Sequence, residues 1–364
     1  MTPRVPLVWS DAHRRHQPSA EIWLGVRTPA VELPARAEAI RAELEGAGHA
    51  VVDATPHSDD ALHAVHDRAL LEFLAGAWDA WESAGLPDDP GQPEVIPYFF
   101  AHSGLLGPIE PALPTATWAR TGRFAFDTMT PIGPGTWAAA RAGADAALTA
   151  CDLVLGGAPA AYACCRPPGH HVTRDAYGGC CYLNNAAIAV ARLRDALGGP
   201  VALIDVDAHH GNGAQAIFYD RADVLTGSVH VDPGAGWFPH FLGFAGEDGE
   251  GGANRNLPLA PGSGDEAWVA AVRELAWWAA AAAPRALVVA LGVDAADADP
   301  ESPLRVSRDG YRAAGHALGA LGLPTVVVQE GGYDVATIGG LVRAALEGLM
   351  SGQEGTDGVE ARRG

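Results

Sequence analysis

The stretch Val201-Ala-Leu-Ile-Asp-Val-Asp207 is apolar until two carboxylates appear at alternate positions, and Ala208-His209-His210-Gly211-Asn212-Gly213 follows at once. A short apolar run of this kind fits a buried strand, and alternate side chains of a strand share a face. Asp205 and Asp207 therefore project the same way. Two like charges at the end of a buried strand are costly unless a cation or hydrogen-bond donors compensate them. A hard metal ion meets that need, with Asp207 and His209 both able to reach it. Gly211 and Gly213 are expected to give the turn backbone conformations closed to other residues.

Upstream, Cys165-Arg166-Pro167-Pro168-Gly169-His170-His171 follows a short apolar run, and its two prolines exclude helix there. Two adjacent histidines are thus held on a stiff loop. Downstream, Ala286-Leu-Val-Val-Ala-Leu-Gly-Val-Asp294 is again a buried strand ending in a carboxylate, and Thr325-Val-Val-Val-Gln-Glu-Gly-Gly-Tyr333 is one more, ending in two glycines and a tyrosine. Asp207, His209 and Asp294 are the expected metal ligands. Three protein ligands leave positions open for water and substrate, which is the arrangement of a catalytic rather than a structural site. Tyr333 is expected to reach into the same mouth.

These motifs resemble, in order and spacing, the zinc-dependent histone deacetylase and acetylpolyamine amidohydrolase superfamily with its arginase-like fold. The resemblance runs from about Trp9 to Leu349 and is nearest to the bacterial acetylpolyamine amidohydrolases. Tyr177-Gly-Gly-Cys-Cys-Tyr-Leu-Asn-Asn185, Phe238-Pro-His-Phe-Leu-Gly-Phe244 and Pro134-Gly-Thr-Trp137 support it. It implies a single α/β domain over residues 1–350, with a central, mainly parallel sheet flanked by helices on both faces. The implied reaction is removal of an acetyl group by metal-activated water. His171 would move the proton, with His170 beside it, His170 bonded to Asp205 and His171 to Asn212. The hydroxyl of Tyr333 would stabilise the developing oxyanion, and the carbonyl of Gly179 would accept the substrate amide N–H. Asp205 and Ser228 match the family's monovalent-cation site, taken as potassium. Zinc is the implied catalytic metal, although an Asp, His, Asp set also suits Fe²⁺.

At the channel mouth the sequence both follows and departs from its relatives. Phe238 matches one aromatic wall, whereas the facing position, Phe or Tyr in relatives, is Cys180. The acidic loop residue of the bacterial polyamine enzymes has no counterpart in Thr117-Trp-Ala-Arg-Thr-Gly122. Glu301 lies seven residues after Asp294, a spacing that resembles the gatekeeper of the eukaryotic polyamine-selective deacetylase. The resemblance, Glu301, the insertion at about 86–124 and the acidic net charge favour acetylated polyamines or similar small cationic amines. Protein lysine deacetylation, or a broad small-amide or ester hydrolase activity, is the alternative that Cys180 and the missing loop carboxylate favour.

Composition agrees with an α/β enzyme. A net charge of −20 with only 24 Lys plus Arg disfavours nucleic acid, whose binding rests on neutralising phosphates. No segment approaches the roughly 20 apolar residues of a membrane span, and the first thirty residues lack a signal-like run, so a cytoplasmic protein is expected. Five cysteines, two pairs of them adjacent, read as small buried residues rather than a disulfide framework. The Pro-rich stretch at about 86–124, with Tyr98-Phe-Phe100, Leu105-Leu106 and Trp118, is expected to be a loop insertion that covers a neighbouring subunit in a homodimer. Residues 351–364, rich in Gly and charge, are expected to be a disordered tail.

Overall fold

The computed structural model describes residues 4–360. Its strands are β1 (Leu7–Trp9), β2 (Glu21–Trp23), β3 (Val26–Thr28), β4 (Val51–Asp53), β5 (Ala160–Ala163), β6 (Val201–Asp205), β7 (Val224–Val231), β8 (Asn254–Leu259), β9 (Ala286–Leu291) and β10 (Thr325–Gln329). The helices are α1 (Pro34–Gly46), α2 (Asp60–His63), α3 (Arg68–Ser83), α4 (Ser103–Leu106), α5 (Thr117–Phe124), α6 (Thr136–Leu155), α7 (Asn185–Leu197), α8 (Asn212–Phe218), α9 (Asp265–Ala281), α10 (Arg308–Gly319) and α11 (Ile338–Glu360).

Eight strands form one sheet in the order β4-β1-β5-β10-β9-β6-β7-β8, every pairing parallel, while β2 and β3 form a separate antiparallel hairpin. An all-parallel sheet needs cover on both faces, which is why its strands read as continuous apolar runs. Alternation sorts them. Leu203, Val288, Ala290, Val326 and Val328 pack with α3, α6 and α7, and Ile204, Val289, Leu291 and Val327 pack with α1, α9, α10 and α11. The expected α/β domain with helices on both faces is therefore what the chain forms.

Two elements differ from expectation. α11 continues through the glycine-rich residues from Ser351 as far as Glu360, so this part of the tail is helical. Its glycines serve close approach: a Cβ at Gly352 would lie 2.3 Å from the carbonyl oxygen of His316 in α10, and Gln353 is buried with its amide on the carbonyls of Pro159 and Leu323. Residues 361–364 lie outside the described part. In the turn after β6, neither Gly211 nor Gly213 has a positive φ. Their role is space, since a Cβ would stand 2.3 Å from Asp205 Oδ2 at Gly211 and 2.3 Å from the Val172 carbonyl at Gly213.

Neighbouring β6 and β9 lead onward in opposite directions, to β7 on one side and to β10 on the other. The strand ends part at such a point and leave a crevice beyond their carboxyl termini.

Candidate metal centre and catalytic pocket

The crevice holds Asp207 and His209, just past β6, and Asp294, just past β9. Their ligand atoms all lie within 4.8 Å of one another. His209 Nδ1 is 3.1 Å from Asp294 Oδ2 and 3.3 Å from Asp207 Oδ1, and both carboxylates are fully buried. Backbone donors fix them: His209 N–H and Gly331 N–H each donate to Asp207 at 2.8 Å, and Ala208 N–H donates to Asp294 at 2.8 Å. Glycines make the room, since a Cβ at Gly292 would fall 1.9 Å from Asp207 Oδ2 and one at Gly331 2.4 Å from Asp294 Oδ2.

This donor set fits a divalent cation. Burial, and then the charge of Asp207, push the Asp294 carboxyl up to about 7. Burial disfavours a charge on His209, yet its bonds to Asp207 and Asp294 outweigh that and hold its pKa well above the ordinary value. A proton between two buried carboxylates is where a positive charge is wanted, and a metal ion supplies two.

The two loop histidines stand beside this group with unlike partners. His170 Nδ1 is 2.9 Å from Asp205 Oδ2, and His171 Nδ1 is 2.6 Å from Asn212 Oδ1, with the ring centroids 3.9 Å apart. Asn212 Nδ2 donates to the His171 carbonyl at 3.2 Å, which aims the amide oxygen at the ring. An amide oxygen only accepts, so His171 Nδ1 carries the proton and Nε2 keeps its lone pair. Burial, then the charges of His170 and His209, hold His171 well below its ordinary pKa, so it is neutral at pH 7. For His170 burial acts the same way, but Asp207 and Asp205 overcome it and lift the ring to about 10. The pair therefore divides into a neutral imidazole and a cation.

Tyr333 sits on the turn after β10, its N–H on Asp299 Oδ2 at 2.6 Å and its ring under the Arg36 guanidinium at 4.6 Å. Gly179, at φ +60°, packs against the His171 ring and donates its N–H to Asp127. Cys180 is half-buried with φ 61° and donates its N–H to Thr130 Oγ1 at 2.9 Å. Phe238 meets the His171 ring edge to face at 4.8 Å. Ser228 faces Asp205 across the β6–β7 pair, with its hydroxyl 2.8 Å from His230 Nδ1. Glu301 is half-buried and donates its N–H to Asp299 Oδ1 at 3.1 Å.

Several residues of the pocket have no counterpart among the sequence candidates. Phe126 lies nearly parallel to Phe238 at 6.3 Å between centroids, an aromatic partner that the Cys180 position does not supply. Asp127 binds the backbone of Gly179 and Met129 and the hydroxyl of Thr130, and so shapes that wall. Glu330 Oε2 receives the N–H groups of Gly169 and His170 at 2.7 and 3.1 Å, tying the histidine loop to the end of β10. Glu21, on the hairpin, is half-buried; burial, with the charges of Glu301, Glu32 and Asp127 adding to it, pushes its carboxyl up to about 7. Asp127 and Glu21 flank aromatic or apolar residues in stretches without periodicity, which is why no pattern exposed them.

Residues 30–349 match the family model for the histone deacetylase domain. The chain belongs to the histone deacetylase family. Acetylpolyamine amidohydrolase 1 of Pseudomonas aeruginosa is 43% identical over 338 residues, which cover 91% of this chain and 95% of that one. The acetylpolyamine amidohydrolase of Mycoplana ramosa is 39% identical over 347 residues, 94% of this chain and 99% of the relative. Among solved structures, acetylpolyamine aminohydrolase from Burkholderia pseudomallei superposes with a TM-score of 0.89 at 39% identity, covering 96% of this chain and 99% of that one. The two sequence relatives are amidohydrolases by name. No described helix is long and apolar enough to cross a membrane.

Proposed function

We propose that this chain is a zinc-dependent deacetylase of acetylated polyamines or similar small cationic amines. The observation that carries the reading is the joining, in one crevice, of the Asp207, His209 and Asp294 group to a neutral His171, whose Nδ1 is held by Asn212 and whose ring lies 6.2 Å from that of His209. Asp207, His209 and Asp294 would hold a cation, which would polarise an acetamide carbonyl and acidify a water molecule. His171 would take a proton from the attacking water at Nε2 and return it to the leaving amine. His170, bonded to Asp205, keeps a positive charge next to it throughout. Tyr333 offers its hydroxyl to the developing oxyanion, with Asp299 and Arg36 holding its turn and ring. The Gly179 carbonyl accepts the substrate N–H in this scheme, and Phe238 with Phe126 flanks the acyl-amine chain.

Zinc is our assignment for the metal, with Fe²⁺ the next that such ligands accept. Potassium at Asp205 and Ser228 is the corresponding assignment for the monovalent site. Two half-buried acids, Glu301 and Glu21, support a cationic substrate, since they favour an ammonium over a neutral peptide backbone. The exposed Tyr98, Phe99, Leu105, Ile109 and Trp118 of the insertion support a homodimer that excludes bulky proteins, and a monomer in sedimentation at micromolar concentration would remove that part. We place the enzyme in the cytoplasm. Lysine deacetylation is the second reading, favoured by the small Cys180 side chain at the wall.

The test is kcat/KM for acetylputrescine, acetylspermidine and an acetyl-lysine peptide on zinc-loaded protein, with His171→Ala as the blank. Preference for the polyamines supports the proposal. Preference for the peptide selects the second reading, and inactivity on all three overturns both.

A further inference from the structure

Beside the catalytic group lies a second convergence of ligand atoms. His170, Cys181 and Glu330 each offer one, all within 4.8 Å of one another and all buried. Three observations point to a ligand there. Glu330 Oε2 is engaged by the Gly169 and His170 N–H groups, but Glu330 Oε1 is buried and meets no hydrogen-bond donor. Cys181 is a free thiol, fully buried. His170 uses Nδ1 on Asp205, so its ligand nitrogen is Nε2, 3.8 Å from Asp207 Oδ1; this nitrogen binds a metal once it gives up the proton of the cationic ring. A buried carboxylate oxygen without a partner is costly, and here a thiol and an imidazole stand close to it.

We propose that His170, Cys181 and Glu330 form a second, thiophilic cation site on the floor of the catalytic pocket. The donor chemistry differs in kind from the first site: sulfur, nitrogen and oxygen against nitrogen and two carboxylates. Soft thiolate selects zinc, cobalt or cadmium over magnesium or calcium. Bonds of about 2.0–2.3 Å at tetrahedral angles put donors about 3.5 Å apart, so donors that lie within 4.8 Å of one another close by about 1.3 Å at most around a zinc-sized ion. Entry of the ion displaces two protons to solvent, one from the Cys181 thiol and one from His170 Nε2, and Glu330 Oε1 gains its missing partner. The first site fills before the second, because it holds two buried carboxylates and the second holds one. Occupation takes His170 out of its partnership with His171, so excess metal inhibits turnover; that consequence, unlike the site itself, rests on the proposed deacetylase mechanism.

Cobalt distinguishes the two sites without recourse to activity, since the Asp207, His209 and Asp294 set contains no sulfur. Metal-stripped full-length protein is titrated with Co²⁺ and its spectrum recorded, alongside turnover of acetylspermidine. The first equivalent is expected to give visible ligand-field bands alone. Further equivalents are expected to add a thiolate-to-cobalt charge-transfer band in the near ultraviolet, retained in Cys180→Ser, lost in Cys181→Ser and weakened in Glu330→Gln, with turnover falling as the band grows. Absence of that band in the wild-type protein overturns the site whatever the variants do, and so does its persistence in Cys181→Ser or Cys181→Ala. The ligand-field bands of the first equivalent report whether each variant is folded. A protein that shows the charge-transfer band but never deacetylates keeps the site and refutes the function.

Discussion

Replacing Glu32 by Gln is expected to lower the melting temperature by about 4–6 °C while leaving the shape of the site intact. Glu32 is 1% exposed, and its carboxylate receives Arg36 at 2.7 Å and Arg166 at 2.9 Å, with His16 at 3.5 Å. Both guanidiniums are buried as well. Arg36 goes on to the carbonyls of Gly332 and Glu330, on the Tyr333 turn, and Arg166 to those of His13 and His16. An amide in place of the carboxylate leaves two buried cations facing each other, and breaking a buried pair in this way costs about 3–5 kcal/mol. At an unfolding entropy of about 2.1 cal/mol/K per residue, the 364-residue chain loses roughly 1 °C for each 0.8 kcal/mol.

Scanning calorimetry at neutral pH measures the shift. Glu72→Gln, which breaks the exposed pair with Arg68, is the comparison and should move the midpoint by about 1 °C or less. A Glu32→Gln shift no larger than that of Glu72→Gln would refute the argument. Acid gives a second check. Burial raises the Glu32 pKa, but Arg166 and Arg36 outweigh it and depress the folded-state value below 4.5. A depressed carboxylate stabilises above its unfolded pKa and ceases to do so as pH falls through the folded one. The gap between wild type and variant should therefore persist from neutral pH to about pH 5 and close only below that.

Three further outcomes follow from the pocket. Tyr333→Phe should reduce kcat by about 10²–10³ with zinc content unchanged, and a near-normal kcat would remove the hydroxyl from the reaction. Asn212→Asp places a carboxylate 2.6 Å from His171 Nδ1, which raises the imidazole pKa; the acid limb of the kcat/KM profile should move to higher pH, and an unmoved limb would show that His171 is not the base. Glu301→Leu should weaken kcat/KM for acetylspermidine more than for an acetyl-lysine peptide, whereas equal loss on both substrates would mean that Glu301 selects nothing.

Asp207, His209 and Asp294 were legible because a carboxylate at the end of an apolar run contradicts its surroundings and needs a reason. His170 and His171 drew notice as a pair, and their partners Asp205 and Asn212 came from the family resemblance before the geometry bore out both bonds. The lattice beneath them was not legible. Nothing in the residues around Glu32 and Arg36 marks them for burial, and nothing in Arg166 announces a guanidinium sunk to 1% exposure. Charged residues are exposed by default, so burial of a matched set shows only when three distant segments meet. The glycines of α11 misled for the converse reason: composition suggests a tail, while contact with α10 makes the absence of a side chain the condition for helix packing.

The crevice between β6 and β9 also bears on when the protein becomes competent. His209 and Asp294 are 85 positions apart, and β7, β8 and α9 all lie between them in the chain. No fragment ending before β9 contains the whole Asp207, His209 and Asp294 group, so under the proposed function a nascent chain would not capture a metal early. Contacts of such long range form late. Under the proposed function, loading of the centre would therefore wait on the finished sheet, and a chain that stalls midway would be inert.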